Sequence, residues 1–311
     1  MVKKLRLFFF LIFSCINAQI INYEKFIAEC TDFEEDLIVL RKLEDSNKNI
    51  KYISLHPNTL EVKIIEANQI KERDWHFLEK KYSNTVYIKL RNYTKQQFNY
   101  SSLKNSGLKN LNVGETYILT TDLCPVYHKN LNYKLYNNIS KELSHPIPIG
   151  IAITGRWLNH HKDGLEWLLE MQKKNIFQIT WINHSYNHKY IEGRANSSNF
   201  LLIKNTDLDH EVLDLEKLMI NNDLNISIYF RFPGLVSNKE LYSKVLSYGL
   251  IPLGSDSWIG KGNLPKNGSI VLLHGNGNDR KGVVGIAKWF KSNDNKLNIK
   301  SINETITNFF D

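Results

Sequence analysis

Short apolar runs alternate with amphipathic segments over the C-terminal two thirds of this 311-residue chain. This repeated β–α alternation predicts a parallel sheet with crossover helices, either an open doubly wound sheet or a barrel. The predicted strands lie at 117–121, 147–154, 176–181, 226–230, 250–253 and 269–273, the helices at 131–143, 164–174, 207–219, 239–247 and 283–290, and a further strand and helix at 297–310.

The N-terminal third has a different pattern and no motif that indicates chemistry. Its predicted elements are strands at 51–56 and 60–65, a helix at 70–82 and a strand at 85–90. Residues 99–112 are rich in Ser, Asn, Lys and Gly and are typical of a linker. We therefore predict a small α+β domain at 19–112 followed by a β/α domain at 113–311.

The first eighteen residues have the pattern of a secretory signal peptide. A basic start at 1–6 precedes a short apolar stretch at 7–13, and small or polar residues lead to Ala18. The apolar stretch is too short to span a bilayer. We expect cleavage after Ala18 and an exported protein, periplasmic or secreted, with lipid anchoring at Cys15 as the alternative. An exported compartment would permit a disulfide between Cys30 and Cys124, although the sequence does not show that they meet.

Composition changes this picture only slightly. A hydrophobic fraction of 42% allows a buried core, so a globular protein is expected. The formal net charge of +8 comes without a dense basic block or a nucleic-acid motif. A generally basic, solvated surface explains the charge best, and attraction to an anionic envelope polymer or membrane surface is the alternative.

The segment at 183–188 places two histidines, His184 and His188, four residues apart directly after a predicted strand. On a helical turn, residues at this spacing share a face, so two imidazoles can converge on one divalent ion. The pair alone is compatible with loop or cap histidines. However, other polar residues also follow predicted strands, and the carboxyl ends of parallel strands meet on one face. The sequence therefore predicts a catalytic metal site from these positions, namely Asp122, His184, His188, Arg231, Asp256 and His274.

Five segments in chain order support this prediction: LTTDLCP at 119–125, NHSYNH at 183–188, FRFPG at 230–234, DSW at 256–258 and IVLLH at 270–274. Together they resemble the polysaccharide deacetylases of carbohydrate esterase family 4, the NodB-homology domain, over roughly residues 115 to 310. The second segment matches the family's His-Ser/Thr-x-x-His metal motif. The resemblance implies an irregular (β/α)7-type barrel.

The resemblance also implies metal-assisted removal of N-acetyl groups from the amino sugars of an envelope or extracellular glycan. The metal, commonly zinc with cobalt or nickel as alternatives, would bind His184 and His188. Asp122 would act as the general base and His274 as the general acid, and a backbone N–H near Tyr127 would help hold the oxyanion. The resemblance assigns two supporting roles: Arg231 would fix the Asp122 carboxylate, and Asp256 would orient His274, against which Trp258 packs.

One position departs from the family pattern. The family carries two adjacent aspartates, the second a metal ligand, whereas this chain has Leu123 after Asp122. Three explanations are open: Asp122 is itself the third ligand, which we favour; the Cys124 thiolate coordinates; or the site is degenerate. Two alternative functions follow, a catalytically weakened glycan-binding homologue or a hydrolase of a non-sugar C–N bond.

Overall fold

Two β-sheets organise the chain, which a computed structural model describes at residues 19–32, 35–67, 69–126, 130–293 and 297–311. The predicted signal peptide at 1–18, with Cys15, lies outside the described residues. Export and lipid anchoring therefore stay predictions.

The N-terminal sheet is antiparallel and is followed by two helices. Its elements are β1 (Ile20–Asp32), β2 (Glu35–Asp45), β3 (Ile50–Leu55), β4 (Val62–Ile65), β5 (Ile70–Glu72), α1 (Trp75–Lys81) and α2 (Val86–Lys95). The strand order is β4-β3-β2-β1-β5. The predicted strands at 51–56 and 60–65 are confirmed as β3 and β4, whereas the sequence pattern missed β1 and β2.

Two other predictions for this region need correction. The predicted helix at 70–82 begins only at Trp75, because residues 70–72 pair with β1 as β5. The predicted strand at 85–90 is the beginning of α2. The buried positions 87, 90, 91 and 94 recur at helical spacing. Six residues rich in aromatic and β-branched side chains are too few to reveal a helical period. Packing in the folded protein outweighed the intrinsic preference of these residues for a strand.

The second sheet contains seven strands in the order β10-β9-β8-β7-β6-β12-β11, all paired in parallel and curled into a half-barrel. This confirms the predicted (β/α)7-type architecture. However, the pattern missed the two-residue strand β11, and the further strand predicted from residue 297 forms only an isolated bridge between Ile299 and Tyr117. The elements are β6 (Ile118–Leu123), α3 (Tyr133–Glu142), β7 (Ile147–Ile153), α4 (Gly155–His160), α5 (Lys162–Lys173), β8 (Phe177–Asn183), α6 (Leu215–Ile220), β9 (Tyr229–Phe230), α7 (Lys239–Ser247), β10 (Ile251–Pro252), β11 (Ser257–Trp258), β12 (Ile270–His274), α8 (Arg280–Ser292) and α9 (Ile302–Phe310).

Each strand of the half-barrel divides its side chains between two apolar layers. On β6, Leu119 and Leu123 face outward into a cluster formed with the surrounding helices. Ile118 faces the opposite way, into a second cluster with Ile182 of β8 and Ile270 of β12. Since side chains alternate along a strand, residues 118, 120 and 122 share the inner face.

The N-terminal region packs against the apolar interior of the half-barrel. Leu55 of β3 and Tyr87 and Leu90 of α2 belong to the same buried cluster as the inner apolar residues of β6, β8 and β12. The C-terminal helix α9 also packs on α2, where Tyr93 contacts Phe309 and Phe310 with ring centroids 5.4 and 6.0 Å apart. The hydrophobic core thus runs across the predicted boundary at residue 112, and the division into domains stays a prediction.

A buried ion pair also joins the two sheets. Arg41 of β2 donates two hydrogen bonds to the Glu216 carboxylate of α6, at 2.7 and 3.0 Å. The hydroxyl of Tyr23 donates a third at 2.9 Å. Both charged side chains are at most 2% exposed, so each neutralises a charge that water cannot reach. No helix in the described part of the chain is long and apolar enough to cross a membrane.

Candidate active site

The carboxyl-terminal rim of the half-barrel brings five of the six predicted site residues together. The parallel register of β6 and β12 pairs Asp122 with His274. The backbone N–H of His184 donates to Ile153 at the end of β7, and that of Arg231 donates to Asn183 at the end of β8. These groups extend the inner face of the strands at their carboxyl ends, so the polar site adjoins the apolar interior of the half-barrel.

Asp122 is held as a buried carboxylate. Its Oδ1 accepts a 2.7 Å hydrogen bond from Arg231 Nη1, and its Oδ2 lies 3.6 Å from His184 Nε2. Arg231 is fully buried, and Nη1 also donates to Thr120 Oγ1 at 2.9 Å. Burial by itself would raise the pKa of Asp122, but the Arg231 guanidinium and the neighbouring histidines lower it. The carboxylate is therefore ionised at neutral pH, as the predicted role of Arg231 requires.

His184 and His188 converge through an irregular loop and not through the helical turn that their spacing suggested. Ser185 and His188 adopt left-handed backbone angles, with φ of 67° and 46°. Such conformations are costly for non-glycine residues and persist where the surroundings fix them. The Glu211 carboxylate provides that fixation, since it accepts hydrogen bonds from the backbone and side-chain amides of Asn187. The imidazole centroids of His184 and His188 are 4.7 Å apart.

The orientation of His184 leaves one nitrogen available to a ligand. Its Nδ1 donates a 2.8 Å hydrogen bond to the carbonyl of Arg231, so Nε2 carries the lone pair. The buried Nε2 of His188 has no hydrogen-bond partner among the residues that the structure describes. Buried polar atoms are normally satisfied, so this atom points to a missing partner.

Cys124 lies beside the two histidines. Its Sγ is 3.8 Å from His184 Nε2, and one ligand atom from each of the three residues lies within 4.8 Å of the others. Burial would raise the pKa of the Cys124 thiol, but His188, His184 and His274 together lower it well below its usual value. No disulfide links Cys124 to Cys30 in the described structure, so the open possibility of that bridge is not realised here.

Leu123 points away from this site. It is completely buried in the outer cluster, between the sheet and the helices. Asp122 before it and Cys124 after it present the groups that reach the rim. A donor atom at position 123 would therefore lie in the helix layer, and the missing second aspartate does not by itself leave a gap at the site.

His274 has a carboxylate partner that the sequence motifs did not indicate. Its Nδ1 lies 3.9 Å from Asp279 Oδ2, which also accepts a 3.3 Å hydrogen bond from Trp258 Nε1. Burial lowers the pKa of His274, but Asp279, Cys124 and Asp122 outweigh it and raise the pKa to about 10. The expected packing of Trp258 on His274 is present, with ring centroids 5.4 Å apart.

Asp256, which the motifs predicted as the partner of His274, lies elsewhere. β11 pairs Ser257 with Val271, so Asp256 is level with the start of β12 whereas His274 stands at its end. Four residues of strand separate them by about 13 Å. The Oδ2 of Asp256 instead accepts hydrogen bonds from Asn110 and Ser269, at 3.0 and 3.1 Å. The structure thus places Asp279 where Asp256 was expected.

Sequence reasoning missed three supporting residues besides the predicted set, namely Asp279, Asn276 and Glu211. Asn276 donates a 2.7 Å hydrogen bond to the carbonyl of Cys124 and so fixes its backbone. The one available signal was the run of glycine and asparagine at 275–279, which directly follows the IVLLH segment. Tyr127, near the expected oxyanion donor, lies outside the described residues.

Comparisons with known proteins gave similarities to solved structures. No family model matches the chain. A family 4 carbohydrate esterase from Bacillus anthracis is similar, with a TM-score of 0.47, 18% identity and coverage of 72% of this chain and 93% of that one. The peptidoglycan deacetylase PdaC from Bacillus subtilis gives a TM-score of 0.41 at 14% identity, with coverage of 62% of this chain and 90% of that one. A pseudoenzyme of carbohydrate esterase family 4 from Bacillus anthracis gives a TM-score of 0.43 at 13% identity, with coverage of 64% of this chain and 68% of that one.

These similar solved structures are described as members of the family named from the sequence motifs or as deacetylases. The chemistry of this chain rests on its own rim residues.

Proposed function

We propose that this protein is a metal-dependent hydrolase that removes N-acetyl groups from the amino sugars of a glycan. One observation carries the proposal: a buried, ionised Asp122, two converging imidazoles and a carboxylate-paired His274 meet on one rim. A base, a metal site and an acid are the parts that amide hydrolysis by activated water requires.

His184 and His188 are the residues that would hold a divalent metal, zinc in the first place with cobalt or nickel as alternatives. They fit such an ion, because His184 is fixed in the tautomer that exposes Nε2 and the buried His188 Nε2 lacks a partner within the described ranges. A bound divalent ion would supply Lewis acidity toward the acetyl carbonyl and toward a water molecule.

Asp122 is positioned to take the proton from that water. Its Oδ1 is occupied by Arg231, whereas Oδ2 faces His184, so one oxygen is fixed and the other faces the reacting centre. The lowered pKa keeps the carboxylate charged and able to accept a proton at neutral pH.

His274 is positioned to protonate the departing amine. It stands beside Asp122 in register on the neighbouring strand and is 15% exposed, so a substrate can reach it. Its raised pKa keeps the imidazole protonated at neutral pH, which a general acid requires. The Asp279 carboxylate lies 3.9 Å from Nδ1, and Trp258 packs against the ring.

The glycan assignment has separate support. The similar solved structure of PdaC is described as a peptidoglycan deacetylase, and the predicted signal peptide at 1–18 would deliver this chain to the compartment where such polymers occur. The net charge of +8 would favour an anionic envelope surface. We therefore place the protein in the periplasm or outside the cell, acting on an N-acetylated envelope or extracellular glycan.

Acetate release from N-acetylated chito-oligosaccharides by the zinc-loaded protein tests the proposal. Asp122→Asn and His274→Ala should each lower kcat by about 10²- to 10⁴-fold, and His184→Ala should lose both the metal and turnover. The matched control is His76→Ala, because His76 is exposed on α1 in the N-terminal region. Zinc-loaded protein that releases no acetate from these oligosaccharides or from peptidoglycan would overturn the proposal, and glycan binding without turnover would support the binding-protein alternative.

A further inference from the structure

On the basis of the proposed function, the metal site requires a third protein donor beside the two histidines, and the geometry around them distinguishes the candidates. Asp122 was the favoured donor from the sequence, but one of its oxygens is already engaged and the carboxylate lies outside the closest group of donors. Oδ1 is engaged by Arg231 at 2.7 Å, and Oδ2 stands 3.6 Å from the His184 nitrogen. The Asp122 carboxylate is not part of the close donor group that Cys124 forms with His184 and His188.

We infer that the Cys124 thiolate is the third protein ligand of this site, which makes it a Cys-His-His centre and leaves Asp122 free to accept a proton.

The sulfur position fits such a centre. In a tetrahedral zinc site, bond lengths of about 2.3 Å to sulfur and 2.0–2.1 Å to nitrogen place these two atoms about 3.6 Å apart. The observed separation between Cys124 Sγ and His184 Nε2 is 3.8 Å. A catalytic zinc site with three protein ligands keeps its fourth position for water or substrate, and the half-buried Cys124 lies at the open rim where that position would be.

The backbone around Cys124 is also fixed for this role. Asn276 donates to the Cys124 carbonyl at 2.7 Å, and the preceding carbonyl, of Leu123, accepts a 3.0 Å hydrogen bond from Thr154 Oγ1. With Leu123 anchored in the helix layer, the extended backbone directs Asp122 and Cys124 toward the same face. The chain thus offers a base and a soft donor where the family pattern has two carboxylates.

Cobalt substitution tests the inference through a readout other than turnover. Full-length protein loaded with Co²⁺ should bind one ion per chain and show the near-ultraviolet sulfur-to-cobalt charge-transfer absorption. Cys124→Ser should abolish that absorption and weaken metal binding by about 100-fold. Cys124→Asp should restore much of the affinity without the absorption, because it replaces sulfur with an oxygen donor. The matched control Cys30→Ser, at the buried cysteine of β1, should keep the wild-type spectrum.

A second measurement needs no variant. Zn²⁺ should protect Cys124 of the wild-type protein from iodoacetamide, as followed by peptide mass spectrometry. Cobalt binding without the charge-transfer absorption, or zinc binding that leaves the alkylation rate of Cys124 unchanged, would overturn the inference. Acetate release that persists with either result would leave the proposed function standing, whereas absence of both metal binding and turnover would overturn the two together.

Discussion

The two carboxylate oxygens of Asp279 contact different parts of the molecule. Oδ1 accepts the Gly282 backbone N–H at 2.7 Å and so caps the first turn of α8, and Oδ2 faces Trp258 and His274. A side chain at Gly260 would collide with this carboxylate, because a Cβ there would lie 2.0 Å from Oδ2. The position is therefore fixed by a helix cap on one side and by close backbone approach on the other.

We expect Asp279→Asn to separate these two roles. Asparagine caps helices about as well as aspartate, so the free energy of unfolding should change by less than about 0.5 kcal/mol. The lost charge should lower kcat by about 10-fold with little change in KM, since Asp279 acts through His274 and does not touch substrate. Asp279→Ala should in addition lose about 1 kcal/mol of stability.

Steady-state kinetics and urea unfolding measure the two effects. Gly260→Ala provides an independent variant, because it keeps the carboxylate but displaces it, and it should lower kcat in the same direction. Wild-type kcat in Asp279→Asn would show that the carboxylate only caps the helix.

At the scale of elements, the long strands of the half-barrel were predictable from the sequence, whereas the short strand β11 and the loop that carries Asp279 were not. The apolar run of β7 is buried on both faces, so composition alone reveals it. The two residues of β11 carry no such signal, and their register, which moves Asp256 away from His274, is set by pairing with β12. Asp122, His184, Arg231 and His274 were found because each lies at or directly after the carboxyl end of an apolar run that predicts a strand. Asp279 follows a loop, so only the folded chain brings it to His274.

The junction of β1, β5 and α1 supplies a prediction at this scale. Glu29 of β1 accepts hydrogen bonds from Lys81 of α1 at 2.8 Å and from Arg73 at 2.9 Å. Burial would raise the pKa of Glu29, but these two cations lower it below 4.5. The carboxylate thus contributes stability above about pH 4.5, and the contribution disappears as the pH falls through the lowered pKa.

Glu29→Gln should therefore lower the free energy of unfolding by about 1 kcal/mol at pH 7, a modest value because both cations are partly exposed. The difference from wild type should shrink as the pH falls below 4.5. Urea unfolding of the two proteins across this range checks the sign, and a difference that is independent of pH would contradict it.

At the scale of the whole molecule, buried contacts connect the N-terminal region to the half-barrel. The apolar cluster that contains Tyr87 and Leu90 also contains inner residues of the half-barrel, and the Arg41–Glu216 pair connects β2 to α6. We expect a single unfolding transition for the full chain when circular dichroism and tryptophan fluorescence are compared. Two separate transitions would instead support independent domains divided near residue 112.

Breaking the buried ion pair should destabilise both sheets together. Glu216→Gln leaves the Arg41 guanidinium without its counterion, and loss of one partner of a buried pair costs about 3–5 kcal/mol. The double variant Arg41→Met with Glu216→Met should recover most of this loss, because no unpaired charge is then left inside. Urea unfolding provides the comparison. Equal destabilisation in the single and double variants would mean that packing, and not charge, dominates at this position.

The packing of α9 on α2 has a consequence for how the chain is made. Residues 86–95 emerge from the ribosome some 200 residues before Phe309 and Phe310, whose rings cover Tyr93. Until then, Tyr93 lacks these two rings, although other residues of α2 can already pack against β3 and α1. The contact between α2 and α9 therefore cannot form before α9 has been made, and we expect nascent chains to depend on a holding chaperone until that point.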